Sequence, residues 1–470
     1  MKKLYNLLPS IDSLLTHPLL ASPLKIYTRE TVKTLCRLSL EQMRGQIDNG
    51  HIDATATQEM VLDDIAARVV KELDKKMAPS LKKVINATGI VLHTGLGRAL
   101  LSQAAQDHVN DILNGYVSLE LDLPSGKRGE RTDHVRSLLC EITGAENALV
   151  VNNNAAAVLI ALNTLSFGKE AVISRGELVE IGGSFRMPEI MDKSGVIMRE
   201  VGTTNKTRLS DYRKAINPNT GAIVIAHTSN YRVLGFTEKA ALKDVCTLAH
   251  DFNIPVIHDL GAGIVFDLQT LGLPHEPLVQ ESLTAGADVV TFSGDKVLGG
   301  PQCGLVVGKK EWLSRIHNNP IMRAVRCDKL IYAALEGTLK LFLRNDLFKE
   351  HAVLRTLVES NDSIKKRARQ LLNKLDDKTV KDYRIHIKPC SGQVGSGALP
   401  LETLDSTAVV LEPTKQSAEE IGRQLRSSDP PVIGYVKEDK VWLDMRTVGD
   451  ENLDLLRQCL TNLQENKEQE

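Results

Sequence analysis

Residues 289–304 read Val-Val-Thr-Phe-Ser-Gly-Asp-Lys-Val-Leu-Gly-Gly-Pro-Gln-Cys-Gly, an apolar run that stops at a polar step and a glycine-rich turn. A short apolar and β-branched run bounded by Ser293-Gly294 has the character of a buried parallel strand, and Lys296 falls just past its end. In an open parallel sheet, ligands sit beyond the carboxyl ends of the strands. A lysine there projects into the cleft, where loss of hydration lowers its pKa and leaves a nucleophilic amine. Taken singly, such a lysine is more often a solvated surface residue.

The same pattern recurs on either side. Apolar runs ending in Gly, Asn, Asp or Ser stand at 148–152, 170–174, 195–201, 221–227, 255–259, 289–292 and 304–307, separated by longer amphipathic stretches. Strands and helices in that rhythm predict an α/β fold whose large, doubly wound, mostly parallel seven-stranded sheet occupies residues 81–345. Residues 1–80 carry Leu, Ile, Val and Met at three- and four-residue spacing through 27–43 and 60–73, with Asn49-Gly50 between. They predict a separate helical amino-terminal module. A charged helical tract over 347–375 leads into weaker alternation at 385–387, 408–411, 432–436 and 440–444, so residues 346–470 are expected to form a linker helix and a small α+β domain.

A chain of 470 residues exceeds one typical domain, and 42% hydrophobic with 25% charged residues excludes a disordered or fibrous protein. Lys plus Arg (58) balance Asp plus Glu (59), which leaves a net charge of −1 and no overall pull towards nucleic acid or anionic membrane. Any polyanion must be caught by a local patch, and neither DNA nor a membrane is an expected partner. The seven cysteines are scattered, with no CxxC or Cys/His ligand spacing. They indicate neither a disulfide framework nor a metal site, and suit a reducing cytoplasm. The opening stretch starts with Lys2-Lys3 like a signal peptide, but Asp12, His17 and the prolines at 9, 18 and 23 break its apolar run. No run is long and apolar enough to span a bilayer, so a cytoplasmic protein is expected.

Two more strand ends carry chemistry. After 148–152 come Asn153-Asn154-Ala155-Ala156-Ala157, opening a helix whose free N–H groups and dipole suit a phosphate. An ordinary Asn cap on an Ala-rich helix reads the same way. The run 255–259 ends in His258-Asp259-Leu260-Gly261-Ala262-Gly263, which delivers an acid to the sheet edge with glycines behind it. Alone, Asp259 reads equally as a helix cap or a magnesium ligand. In conjunction these parts are what pyridoxal 5′-phosphate needs: a phosphate anchor, a partner for the pyridine nitrogen and a Schiff-base lysine. Ser293 with the amides of Asn154, Ala155 and Ala156 would hold the phosphate, Asp259 the ring nitrogen, and Lys296 the aldehyde. His227, Ser229 and Asn230, after another strand, are further candidates for touching the ring.

That order resembles the fold-type I pyridoxal-phosphate-dependent enzymes. More narrowly, Ile85-Asn86-Ala87-Thr88-Gly89, His93-Thr94-Gly95-Leu96-Gly97-Arg98-Ala99-Leu100, Gly126-Lys127-Arg128-Gly129-Glu130-Arg131, Arg175-Gly176-Glu177, Gly202-Thr203-Thr204-Asn205 and residues 293–302 resemble the bacterial L-seryl-tRNA(Sec) selenium transferases, or selenocysteine synthases. The resemblance covers nearly the whole chain. It implies conversion of L-seryl-tRNA(Sec) to L-selenocysteinyl-tRNA(Sec) by β-elimination of water and addition of selenium from selenophosphate. It further implies Lys296 as the Schiff-base lysine, Arg98, Arg323 and Arg326 around the selenium donor, the amino-terminal module as the holder of selenocysteine tRNA, and a homodecamer built from dimers.

Guanidinium groups suit a small oxyanion, and Arg323 with Arg326 at i, i+3 are expected on one helix face. Pairing of these two with Asp328 or Glu336 is the plainer alternative. For tRNA, residues 1–44 carry seven Lys or Arg against three acids. Lys25, Arg29, Lys33 and Arg37, spaced by four, are expected to form one basic helical stripe, which either tracks phosphates or is a solvated face. Aromatic residues at 4% suit shape and backbone reading better than base stacking. The rival function is a pyridoxal-phosphate-dependent lyase or aminotransferase acting on a free small amino acid or amino sugar, for which the helical module has nothing to hold. A non-enzymatic tRNA-binding or scaffold protein on a degenerate fold is a second rival, and intact Lys296, Asp259 and the arginines Arg98, Arg323 and Arg326 count against it.

Overall fold

An apolar run without polar alternation must be covered on both faces. In the computed structural model, which describes residues 2–53, 55–181, 185–231, 233–395, 397–399 and 402–463, seven such runs form one sheet. They are β1 (Asn147–Val151), β2 (Glu170–Ser174), β3 (Ile197–Val201), β4 (Thr220–Ala226), β5 (Val256–Gly261), β6 (Val289–Ser293) and β7 (Gly304–Gly308). The order across the sheet is β1-β7-β6-β5-β4-β2-β3. Neighbours run parallel except β7, which is antiparallel to both β6 and β1. The link from β6 to β7 is too short for a helical crossover and closes as a hairpin. Successive residues go to opposite faces: Val150, Ile223, Val256, Val290 and Phe292 enter one core, and Leu149, Val224, Ile257 and Val289 enter the other. The seven strands read from the sequence are all present, their ends shifted by at most two residues.

The chain divides into two compact units, Met1–Lys83 and Val84–Glu470. The second holds, besides the large sheet, a five-stranded sheet in the order Tyr435–Lys437, Lys440–Asp444, Thr403–Leu411, His386–Gly395, Ile90–Leu92. Ile90–Leu92 thus pairs with a strand far along the chain, as does Ile85–Asn86 with Val432–Ile433. The stretch 85–89 is architectural. Asn86 Oδ1 accepts the Thr88 N–H at 3.0 Å and hydroxyl at 2.7 Å, and Gly89 (φ +74°) packs where a Cβ would strike Asp444. Helices Asn361–Lys374, Ala418–Ser427 and Leu453–Thr461 cover this sheet through Ile364, Leu371, Ile421, Leu425 and Leu456.

In the amino-terminal unit, helices Arg29–Asp48 and Gln58–Met77, capped by Thr28 and Thr57, bury Val32, Leu35, Cys36 and Met43 against Val61, Ile65, Val69 and Leu73. The expected four-residue stripe is corrected here. Lys25 belongs to a separate short helix, Pro23–Ile26, and the extended Tyr27 and Thr28 break the register, so only Arg29, Lys33 and Arg37 share a helix face. Arg37 also pairs with Glu30 at 3.3 Å. No described helix is long and apolar enough to cross a membrane.

Candidate active site

Parallel strands β5 and β6 end side by side, with Asp259 opposite Thr291 in register. Asp259, 5% exposed, accepts the Asn154 Nδ2–H at 2.8 Å and the Thr291 Oγ1–H at 3.0 Å, both on Oδ1. Burial pushes its carboxyl above the usual range, while Asn154, Thr291 and Lys296 pull the other way. Lys296 leaves the tip of β6 and is as buried as its partner. Burial pushes its ammonium down, opposed by Asp259 and reinforced by Arg98. Desolvation therefore drives both groups towards their neutral forms.

The lysine turn is closed by its own backbone: Gly294 N–H donates to Cys303 O at 2.9 Å, Gly299 N–H to Lys296 O at 2.9 Å, and Gly300 N–H to Gly294 O at 2.8 Å. Two glycines leave space around the amine. A Cβ at Gly397 (φ +72°) would lie 2.7 Å from Lys296 Nζ and 3.3 Å from Ser229 Oγ. One at Gly261 would lie 3.8 Å and 3.6 Å from the same two atoms. Ser229 Oγ and Asn154 Oδ1 are buried without a hydrogen-bond partner among the described residues, as befits groups awaiting a ligand.

Asn153 caps the helix Asn154–Ser166, its Oδ1 accepting the Ala156 N–H at 2.9 Å. That corrects the expected anchor. The first-turn amides of Asn154 and Ala155 have no helix carbonyl to reach and remain for an anion, whereas the Ala156 amide is used by the cap. The Asn154 side chain turns to Asp259 instead. Beside this cradle, Asn152 N–H donates to Val325 O at 2.8 Å, which ties the 323–326 loop to the tip of β1.

The three arginines have distinct settings. Arg98, in the left-handed region (φ +62°), pairs through Nη1 with Asp295 Oδ2 at 2.7 Å, and Ala99 N–H donates to Asp295 O at 3.2 Å. Arg326 lies 3.8 Å from Glu120, which also takes Arg128 at 2.8 Å and Arg131 at 2.7 Å. Arg323 ends the short 3-10 turn Pro320–Arg323 and is exposed. Arg323 and Arg326 therefore sit in a connection, not on one helix face: the turn stops at Arg323, and the next helix, Lys329–Leu341, begins only behind the Asp328 cap. Asp328 is occupied with that cap and Glu336 with Lys340.

Of the three residues after β4, His227 pairs with Glu276 at 3.0 Å and Asn230 donates to Glu180 O at 2.7 Å, leaving Ser229 facing the lysine. Thr291 and Gly397 reach the site without being among the candidate residues that the sequence motifs supply. The sequence signal for Thr291 is its place two residues before Ser293, which in a strand puts both side chains on one face. The residues present fit pyridoxal phosphate: a buried acid, a buried amine, and, among the described residues, two first-turn amides and two buried polar atoms without a hydrogen-bond partner.

A large, mostly parallel sheet with a lysine and an acid at adjacent strand tips, joined to a smaller sheet, defines a fold-type I pyridoxal-phosphate-dependent enzyme. Residues 84–449 match the L-seryl-tRNA selenium transferase family, and the chain belongs to it. It is 45% identical over 460 residues to the L-seryl-tRNA(Sec) selenium transferase of Carboxydothermus hydrogenoformans, covering 98% of both chains. It is 43% identical to that of Pasteurella multocida, covering 95% of this chain and 97% of the other. Among solved structures, a D-glucosaminate-6-phosphate ammonia-lyase superposes with a TM-score of 0.57 at 18% identity, covering 83% of this chain and 97% of that one, a likeness of fold.

Proposed function

We propose that this chain converts L-seryl-tRNA(Sec) into L-selenocysteinyl-tRNA(Sec), removing water across the serine Cα–Cβ bond and adding selenium from selenophosphate. The supporting observation is the buried Lys296 amine beside the buried Asp259 carboxyl, in a chain that belongs to this family. Pyridoxal phosphate, when bound, delocalises the negative charge that forms at the serine Cα. Lys296 Nζ would hold the cofactor aldehyde and take the Cα proton, a task favoured by the burial that pushes its ammonium pKa down. Asp259 holds a proton at the pyridine nitrogen, and Asn154 with Thr291 fixes the direction of its carboxyl. The Ser293 hydroxyl and the amides of Asn154 and Ala155 hold the phosphate. Arg98, Arg323 and Arg326 bind the donor oxyanion, with Asp295 orienting Arg98.

Residues 1–80 hold the tRNA, with Arg29, Lys33 and Arg37 facing its phosphates and Lys25 contributing from its separate helix. Residues 81–345, apart from the strands at 85–86 and 90–92 that join the small domain's sheets, carry the cofactor, and residues 346–470 form the linker helix and small domain. The enzyme works in the cytoplasm as a decamer built from dimers. To test the reading, the chain is incubated with seryl-tRNA(Sec) and selenophosphate, and the released amino acid is identified by mass. Selenocysteine is expected from the native chain. Lys296→Ala should lose both this product and the Schiff-base absorbance while still binding tRNA. Selenocysteine from Lys296→Ala at the native rate, or none from the cofactor-loaded native chain, refutes it.

A further inference from the structure

We propose that His351 is a positioning residue for Lys296: its ring, wedged between the lysine turn and the helix Ala352–Val358, holds the carbonyl of Leu298 and thereby aims the ε-amine. The inference rests on Lys296 being the cofactor lysine. His351 is buried, and both ring nitrogens are engaged: Nε2 with Leu298 O at 2.9 Å and Nδ1 with the Leu354 N–H at 3.2 Å. A backbone carbonyl only accepts and an amide N–H only donates, so Nε2 carries the proton and Nδ1 the lone pair. One neutral tautomer satisfies both contacts. Burial, which pushes the imidazole below its usual range, preserves that form.

The ring is a strut with two fixed ends. Through Nδ1 it caps the helix Ala352–Val358, and through Nε2–H it grips the residue two beyond Lys296. Gly299 (φ +71°) completes the seat, because a Cβ there would strike the imidazole. Phe342 packs edge-on against the ring with centroids 5.5 Å apart, which prevents it from swinging out. Gly299 N–H in turn closes on the Lys296 carbonyl, so a shift at Leu298 passes directly to the lysine backbone. Displacing a reacting group by about 1 Å costs on the order of 10²-fold in rate. A side-chain donor fixed on a helix outside the turn guards against such drift.

The test uses the cofactor-loaded protein. His351→Phe keeps the ring volume and removes the N–H to Leu298, whereas His351→Gln retains a donor for that carbonyl. Circular dichroism and thermal midpoint report folding, and spectrophotometric titration reports the pKa of the lysine Schiff base. Folded His351→Phe should move that pKa by about half a unit or more, roughly threefold in the proton equilibrium, and lower kcat with KM for seryl-tRNA unchanged. His351→Gln should restore native values. A folded Phe variant with the native titration curve overturns the proposal, as does a folded Gln variant displaced as far as Phe. Should His351→Phe not fold, Gly299→Ala, whose Cβ pushes the ring off Leu298, takes its place and is read the same way. Absence of any Schiff-base band in the native chain is a separate failure, that of Lys296 as the cofactor lysine.

Discussion

Gly397→Ala introduces a methyl group beside the reacting amine. The added carbon would stand 2.7 Å from Lys296 Nζ and 3.3 Å from Ser229 Oγ. Comfortable non-bonded separations begin near ~3.5 Å, so the amine must withdraw by somewhat under about 1 Å. The backbone pays as well: at φ +72° an L-residue costs about 1–2 kcal/mol relative to glycine. Because the obstructed atom is the free end of a flexible side chain, the clash is relieved by moving the lysine, not by unfolding the loop. Stability should therefore fall by only about 1–2 kcal/mol, with an unchanged urea m-value. Turnover should fall by on the order of 10²-fold, since the amine sits up to about 1 Å from its working position. Urea unfolding, the Schiff-base spectrum and kcat at saturating seryl-tRNA separate the two effects. A variant that loads cofactor and turns over at the native rate would show that Gly397 does not bound the amine, and the geometry argued here would be wrong.

Asp259→Asn keeps the shape and the Oδ1 acceptor for Asn154 and Thr291, so cofactor should remain bound while kcat drops by about 10²-fold or more. In the cofactor-free chain, the folded carboxyl binds its proton more tightly than the unfolded one. Its stabilising contribution is thus present below the unfolded value near pH ~3.9 and is lost as pH rises through the raised folded value. The Asn variant lacks this loss and should gain on the native chain in urea midpoint as pH rises; a gap independent of pH contradicts the assignment. Reversing Arg29, Lys33 and Arg37 to Glu should weaken tRNA binding and reduce its log–log salt slope by about two to three, with cofactor loading unchanged. Lys25→Glu, off that helix face, should do less, and an unaltered slope in the triple variant returns the stripe to ordinary surface.

The strands of the large sheet, and Asp259, Asn154 and Lys296 at their tips, are readable from single stretches of chain. Burial on both faces demands an uninterrupted apolar run, and the residue just past such a run lies at the sheet edge whatever surrounds it. Spacing also failed in identifiable places. Arg323 with Arg326, and Lys25 with Arg29, have helical separations but no shared helix: the 3-10 turn stops at Arg323 and the helix capped by Asp328 starts after both arginines, while the helix capped by Thr28 starts only at Arg29. The Ala156 amide is lost to the Asn153 cap, a choice between two acceptors that sequence leaves open. Gly397 at the amine, the choice of Ser229 among the three candidates at 227, 229 and 230, His351 beneath the lysine turn and Glu120 among three arginines came only from the folded molecule. Each meets its partner across elements distant in the chain, and which atoms touch there is set by how whole sheets and helices pack, a collective outcome with no local pattern to announce it.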